Sequence, residues 1–332
     1  MKKLFLGLIV LTTLVLSGCG EAKEAKVEDK TTVSKMKVGI VMSTGGLGDK
    51  SFNDAAYKGL ELAKEELGIN FKYVEPQSSA EDEQFLREYA EANYDLIIAT
   101  GFQMRDAAAK VAKDYPNIKF LMIDDVVKEG NVKNILFKEA EGSFLVGAVA
   151  GMMTKTDVVS FVGGMELPLI KRFLNGYTQG VKYIKPNAKV LSLYIGGQNP
   201  FNDPVKAKEG ALSQIKAGSD VLYHASGASG IGVIEAAKDK GVYAIGVDSD
   251  QDGIAEGVVL TSMIKNIDVV VLETIRDLSK GEFKVGTHEY GVKENGVGTT
   301  EFLFTKEIIG ETNLKKLAEI KEKIKSGEIV IQ

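Results

Sequence analysis

The amino-acid sequence predicts an α/β protein of two doubly wound parallel-sheet lobes joined by a hinge. Short runs rich in Val, Ile, Leu and Phe alternate with helical patterns almost without a break, the mark of parallel strands covered by helices on both faces. The runs form two series of five, the first over residues 37–137 and the second over residues 158–261 of the 332-residue chain. Each run is followed by polar, glycine or aromatic residues, and open parallel sheets hold their ligands outside those strand ends.

The elements justify that reading in order. The chain opens with "MKKLFLGLIVLTTLVLSGCG": two lysines, an apolar run from Leu4 to about Leu16, and a small-residue end. The run is shorter than the roughly 20 residues of a spanning helix and reads as an export signal over residues 1–18. Leu16-Ser17-Gly18-Cys19 resembles the lipobox of bacterial lipoproteins, whose cysteine receives a diacylglycerol thioether and becomes the first mature residue. Cys19 is the only cysteine, so the exported domain has no disulfide and stands on its core. Residues 19–35, rich in charge and poor in large apolar side chains, read as the lipidated cysteine and a flexible tether. Contact with the membrane is then through the anchor only.

The formal charge of −5 becomes −7 once a signal carrying Lys2 and Lys3 is removed. That balance argues against nucleic acid, which calls for a basic surface, and leaves a small solute or another protein as partner.

In the first series the strands are expected at Lys37–Met42, Phe71–Val74, Leu96–Thr100, Lys119–Asp124 and Val132–Phe137. A helix over Asp54–Leu67 keeps Ala56, Leu60, Ala63 and Leu67 on one face and stops at Gly68. Another over Glu81–Ala92 follows Ser79 as its cap, with Phe85 and Tyr89 pointing the same way. The second series is expected at Val158–Val162, Val190–Ile195, Val221–Tyr223, Tyr243–Val247 and Val258–Thr261. Near the C-terminus, Leu314, Leu317, Ile320 and Ile324 form the apolar stripe of a helix over Thr312–Lys325, which packs back onto a lobe that the pattern leaves open.

After these strands come "STGGLGDKSFN", "TGFQMRD" with Phe102 and Gln103, Asp124-Asp125, "GGMELPLIKRF" ending at Phe173, "GGQNPFNDP" with Asn202 and Asp203, "YHASGASG", "DSDQDG" and "TSMIKN" with Lys265. Each residue alone has a structural explanation as a turn or helix cap. The set, converging from two lobes on one cleft, points to a binding site.

Catalytic chemistry finds little support. Two histidines, His224 and His288, and no cysteine beyond the anchor exclude His/Cys metal cages and thiol nucleophiles. Gly227-Ala228-Ser229-Gly230-Ile231 lacks the last glycine of a G-x-S-x-G elbow. No Walker-type or G-x-G-x-x-G phosphate loop occurs. "DSDQDG" imitates a calcium loop, but position 12 is Val259 where a glutamate is needed, so no metal and no cofactor are expected.

In order along the chain, "GGLGDKSFNDAAYKGL", "FLMIDD", "FKEAEGSFLVGAVAGMMTKT", "VGGMELPLIKRFLNGYTQGV", "ASGASGIGV", "IGVDSDQ" and "LTSMIKNID" resemble the basic membrane protein family. These are surface lipoproteins with the type I periplasmic-binding-protein fold, several of them purine nucleoside receptors of ABC transporters. The resemblance covers essentially the whole mature chain. It implies a monomeric, non-enzymatic receptor that closes on guanosine, inosine or adenosine and presents it to a permease. Relatives bind other ligands, riboflavin among them, and a surface sensor or adhesion lipoprotein without transport is the alternative.

The resemblance also implies roles for residues. Phe52, in the "DKSFN" motif, becomes a stacking platform for the base, worth roughly 1–3 kcal/mol. Asp49 and Asn53 either contact the ligand or brace the loop. The opposite ring comes from Phe173 or Tyr223. Asp248 and Lys265 fall on the ribose side, Asp124 and Gln103 near the base or the hinge, and Phe102 and Gly227 complete the lining. Ser43 stands where nucleoside-binding members often carry an acid, so it keeps a hydrogen bond and loses a charge. The fold implies one lobe from 36–135 plus 266–287, a second from 136–265, and crossings within Asp125–Glu141, Lys265–Val269 and His288–Val297. The remainder, 288–332, holds the third crossing and the C-terminal helix.

Overall fold

The computed structural model describes residues 35–331. The export signal, Cys19 and the tether as far as Ser34 lie outside the described residues.

The first lobe is built from β1 (Lys37–Val41), α1 (Phe52–Leu67), β2 (Asn70–Val74), α2 (Asp82–Glu91), β3 (Leu96–Thr100), α3 (Arg105–Asp114), β4 (Lys119–Ile123) and β5 (Val132–Phe137). The chain then crosses into α4 (Glu139–Met153), β6 (Val158–Gly163), α5 (Pro168–Ile184), β7 (Lys189–Tyr194), α6 (Pro204–Lys216), β8 (Val221–Ala225), α7 (Gly230–Lys240), β9 (Tyr243–Asp248) and β10 (Val259–Lys265). It returns through α8 (Ile267–Ser279) and β11 (Gly286–Tyr290), and ends with β12 (Val297–Thr299), α9 (Lys306–Ile309) and α10 (Glu311–Ser326).

Local chemistry sets the boundaries. Gly68 ends α1 in the left-handed conformation at φ 67°, its amide donating to the Lys64 carbonyl. Proline at the first position opens α5 and α6, and the Asp203 carboxylate caps α6 by accepting from the Lys206 amide.

The first sheet has the order β11-β5-β4-β3-β1-β2 and is parallel throughout. The second runs β12-β10-β9-β8-β6-β7, parallel except for the antiparallel β10–β12 pair. Both lobes are therefore wound alike, with the strand order reversing between β1 and β3 in one and between β6 and β8 in the other. Ligand crevices of open α/β sheets lie at such reversals.

Strands β11 and β12 were not expected from the sequence, where residues 288–297 read only as a crossing. Strand β11, "GTHEY", is largely exposed and carries no apolar run; backbone pairing to β5 makes it a strand. Strand β12 has three residues, too few to show a period.

Helix α4 is apolar on every side and buried along nearly its whole length, with its close partner α5 on one flank and β10 and β12 on another. The close approach of α4 and α5 needs glycine: a Cβ on Gly147 would meet the Tyr177 carbonyl oxygen, and one on Gly180 the Phe144 carbonyl oxygen. Helix α10 packs against α4, which places the C-terminal helix beside the second sheet. Helix α8 packs on α1, beside the first. Among the described residues, no helix is long and apolar enough to cross a membrane.

Candidate functional site

The strand ends of both sheets line one cleft. Its walls are the loop after β1, the turns after β3 and β4, the start of α5, Phe201 in the loop before α6, and the ends of β8, β9 and β10. The space between these walls, counting the open solvent at its mouth, is about 620 Å³. Of the residues singled out by sequence, Ser43, Asp49, Phe52, Asn53, Phe102, Gln103, Asp124, Phe173, Gly227, Asp248 and Lys265 all line it.

Tyr223 does not. Strand β8 continues to Ala225, so Tyr223 sits mid-strand beneath the cleft with no exposed surface, its ring against Phe161 and Tyr177 and its hydroxyl 3.0 Å from Ser143 Oγ. It is a core residue.

The loop between β1 and α1 is a braced structure. The Asp49 carboxylate accepts from the amides of Ser51, Asn53 and Asp54 at 2.8, 2.9 and 3.2 Å, at the start of α1. Burial raises its carboxyl above the ordinary range even though those donors pull it down. Asn53 Oδ1 accepts from the Ser43 amide and hydroxyl, and its Nδ2 donates to Asp49. Asp49 and Asn53 thus spend their polar atoms on the loop, leaving Phe52 as the group the loop presents. Gln103 Oε1 accepts from Thr44 Oγ1 at 3.2 Å and ties this loop to the turn after β3.

Asp124, just after β4, and Asp248, the last residue of β9, lie in the left-handed region, at φ 70° and 64°. Such backbone is costly for an aspartate and clusters at functional sites. Lys265, at the end of β10, places Nζ 2.8 and 2.6 Å from the two Asp124 oxygens and 3.7 Å from Glu139 Oε1. Burial pushes the Lys265 ammonium down, but Asp124, Glu139 and Asp248 outweigh it and hold it above its usual value. Burial raises Glu139, whose other oxygen receives Arg172 Nε at 2.8 Å. The ammonium also lies 5.2, 4.9 and 5.8 Å from the ring centres of Phe52, Phe137 and Phe173, within cation–π reach.

Asp248 is 8 % exposed. Its Oδ2 accepts from Ser51 Oγ at 2.7 Å, while Oδ1 has no partner among the described residues. Burial pushes the carboxyl up to about 6, against the pull of Lys265 and Ser51. A buried carboxylate oxygen without a donor is costly, and a ligand hydroxyl or N–H would satisfy it.

Four phenylalanines line the cleft, Phe52 and Phe102 from the first lobe and Phe173 and Phe201 from the second. Phe173 is 3 % exposed and fixed beside Lys265; Phe201 is half-buried, with its ring centre 6.4 Å from that of Phe102 at 65°. Sequence reasoning missed Phe201, although it stands beside Asn202 and Asp203 in a loop already noted for its polar residues. Gly227 lies where a Cβ would press on the Phe201 carbonyl oxygen.

The residues that invite catalysis are engaged elsewhere. Ser229 Oγ donates to the Pro200 carbonyl and accepts from the Asp203 amide; His224 Nε2 is 2.9 Å from Gln251 Oε1. Asp252 accepts from the hydroxyls of Ser262 and Thr300 and joins β10 to the start of the segment after β12. Among the described residues, no group of three or more His, Cys, Asp or Glu is placed to hold a metal.

Residues 36–332 match the sequence model of the Bmp family, described as ABC transporter substrate-binding protein PnrA-like. The chain belongs to the Bmp family. Bmp proteins are the substrate-binding component of ABC transporters, a role of binding without catalysis. The chain is 36 % identical over 352 residues to the CD4+ T-cell-stimulating antigen of Listeria innocua, covering 99 % of this chain and 97 % of that protein. It is 33 % identical over 307 residues to the ABC transporter nucleoside-binding protein BmpA of Lactococcus lactis, covering 85 % and 86 %. The crystal structure of an ABC transporter solute-binding protein from Aeropyrum pernix superposes with a TM-score of 0.81 at 30 % identity, over 90 % of this chain and 94 % of that one. The chain shares its fold of two wound lobes with that solute-binding protein.

Proposed function

We propose that this Bmp protein binds a purine nucleoside in the interlobe cleft, is held at the outer face of the cell membrane by a lipid on Cys19, and delivers the nucleoside to an ABC permease. The observation that carries the reading is a cleft that brings aromatic rings together with an unsatisfied buried carboxylate oxygen. Phe52, Phe102 and Phe201 line it, Phe102 and Phe201 in ring contact and Phe52 with its ring centre 5.2 Å from the Lys265 ammonium. Asp248, whose buried Oδ1 has no partner among the described residues, lines it too. A nucleoside carries a flat π-surface and hydroxyl donors, so both parts of this lining meet a complement. The half-exposed Phe201 takes the role of the ring opposite Phe52, which the sequence left between Phe173 and Tyr223. The nucleoside-binding relative from Lactococcus lactis supports the same solute class.

Mass spectrometry of solute released from the purified protein, followed by calorimetric titration with guanosine, inosine, adenosine, uridine and riboflavin, tests the proposal. One-to-one binding of purine nucleosides supports it. Failure of all nucleosides, with another molecule released, overturns it.

A further inference from the structure

Between the lobes, beside the solute cleft, the backbone turn at Lys50–Ser51 is gripped from the second lobe by three residues of one short segment, Asp248, Ser249 and Gln251. Ser51 Oγ donates to Asp248 Oδ2 at 2.7 Å, with the Val247 carbonyl 3.2 Å away as a second acceptor. Ser249 Oγ donates to the Ser51 carbonyl at 2.9 Å. Gln251 Nε2 donates to the Lys50 carbonyl at 3.0 Å.

The orientation of Gln251 is set from within its own lobe. Its Oε1 accepts from the Val247 amide at 2.9 Å, which can only donate, so Nε2 must point at Lys50. With Oε1 fixed by that amide, the His224 ring takes the tautomer that carries its proton on Nε2, 2.9 Å away, and gives the same oxygen a second donor. On the other side, Asp49 fixes the amides of Ser51 and Asn53, and Lys50 holds φ at 53°, so the turn arrives preformed. Ser51, Gln251 and Asp248 are all buried. A buried turn, shaped on one lobe and met by three donors or acceptors of the other, is more than incidental contact.

We propose that the Lys50–Ser51 turn is the latch of the closed lobes and that Ser51 is a positioning residue for Asp248. By occupying Oδ2, the Ser51 hydroxyl leaves Oδ1, which has no partner among the described residues, as the oxygen that can take a ligand donor, so closure and readiness of the carboxylate are one event. The latch joins groups of the protein alone and operates whichever solute the cleft takes.

Small-angle X-ray scattering of the purified protein without added solute, fitted to closed and open populations, provides the test. Ser51→Ala removes a hydrogen bond to a charged group, and the closed-to-open ratio is expected to fall by about tenfold or more. Ser249→Ala, at a half-buried site, removes the second contact and is expected to lower the ratio severalfold, which keeps the test in hand if Ser51→Ala does not fold. Thermal melting midpoints within a few degrees of the parent separate this effect from a general loss of stability. Ratios unchanged in the folded variants, or a parent protein that is open throughout, overturn the latch. Because no solute is added, a wrong ligand in the preceding section would leave this result standing.

Discussion

Lys265 and Asp124 form a buried ion pair between the lobes, Nζ lying 2.8 and 2.6 Å from the two carboxylate oxygens. Lys265 ends the last parallel strand of the second sheet and Asp124 follows β4 of the first, so the pair lies where the lobes meet. Burying an ion pair adds little to stability by itself, but removing one member strands the other. Lys265→Met would leave Asp124 without its cation, while Glu139 keeps Arg172, and should destabilise the protein by about 3–5 kcal/mol in chemical denaturation. A loss below about 1 kcal/mol would show that Asp124 does not depend on the ammonium.

Asp248 sets a pH dependence of binding. Its carboxyl, pushed up to about 6 by burial, feels Lys265 and Ser51 drawing it down and Asp124 and Asp49 driving it up. A ligand donor to Oδ1 needs the carboxylate, so protons compete with the ligand. Nucleoside affinity should be full above pH 7 and fall as pH drops through 6, roughly tenfold by pH 5. Asp248→Asn should bind more weakly at pH 7 and show no such slope. A flat profile in the parent protein would remove Asp248 from the ligand contacts.

The aromatic pair can be probed one ring at a time. Phe52→Ala and Phe201→Ala should each weaken nucleoside binding by more than about tenfold in calorimetry, with little change in melting midpoint. An unchanged affinity with a lower midpoint for Phe201→Ala would make that ring a support for the loop before α6.

His224 has no exposed surface, and burial lowers its imidazole from 6.5 to about 4. Between those values the unfolded chain binds the proton and the folded one does not. The stability this group supplies is therefore complete above pH 6.5 and is lost as pH falls to 4, about 3 kcal/mol in all. His224→Gln keeps a donor for Gln251 and does not titrate, so its stability should decline less over that window by about that amount. The raised carboxyls of Asp49 and Asp248 work in the opposite sense in both proteins and cancel from the comparison. Parallel stability curves would mean that the imidazole is protonated in place.

Cys19→Ala should move the protein from the membrane fraction to the soluble fraction with its nucleoside affinity unchanged. Retention in the membrane fraction would refute the lipid anchor.

The strand ends were legible because polarity changes abruptly there: Val41 gives way to Ser43, Ile123 to Asp124, and Val247 to Asp248. That switch located eleven lining residues of the cleft. Tyr223 was misplaced because an alternating strand end and a mid-strand tyrosine look alike until the strand is known to continue through His224 and Ala225. Phe201 was hidden by its neighbours, since a ring in a loop of Asn, Pro and Asp carries no periodic signal. Ser51 and Asp248 stand 197 residues apart, and nothing local in either loop announces that they meet. Strand β11 was invisible for a different reason, because an edge strand with exposed side chains is made by backbone pairing that composition does not record.

The passages between the lobes are short. One residue, Lys138, separates β5 from α4; one residue, Asn266, separates β10 from α8; and only Gly291–Gly296 separates β11 from β12. Two single-residue joints define a line in space, as a pair of pins defines the axis of a door, and rotation about that line is the movement that leaves both sheets unbent. Glu139 and Lys265 adjoin the two pins, and Asp248, in register with Ile264 on the neighbouring strand, stands close to one of them, so these charges travel little as the door swings.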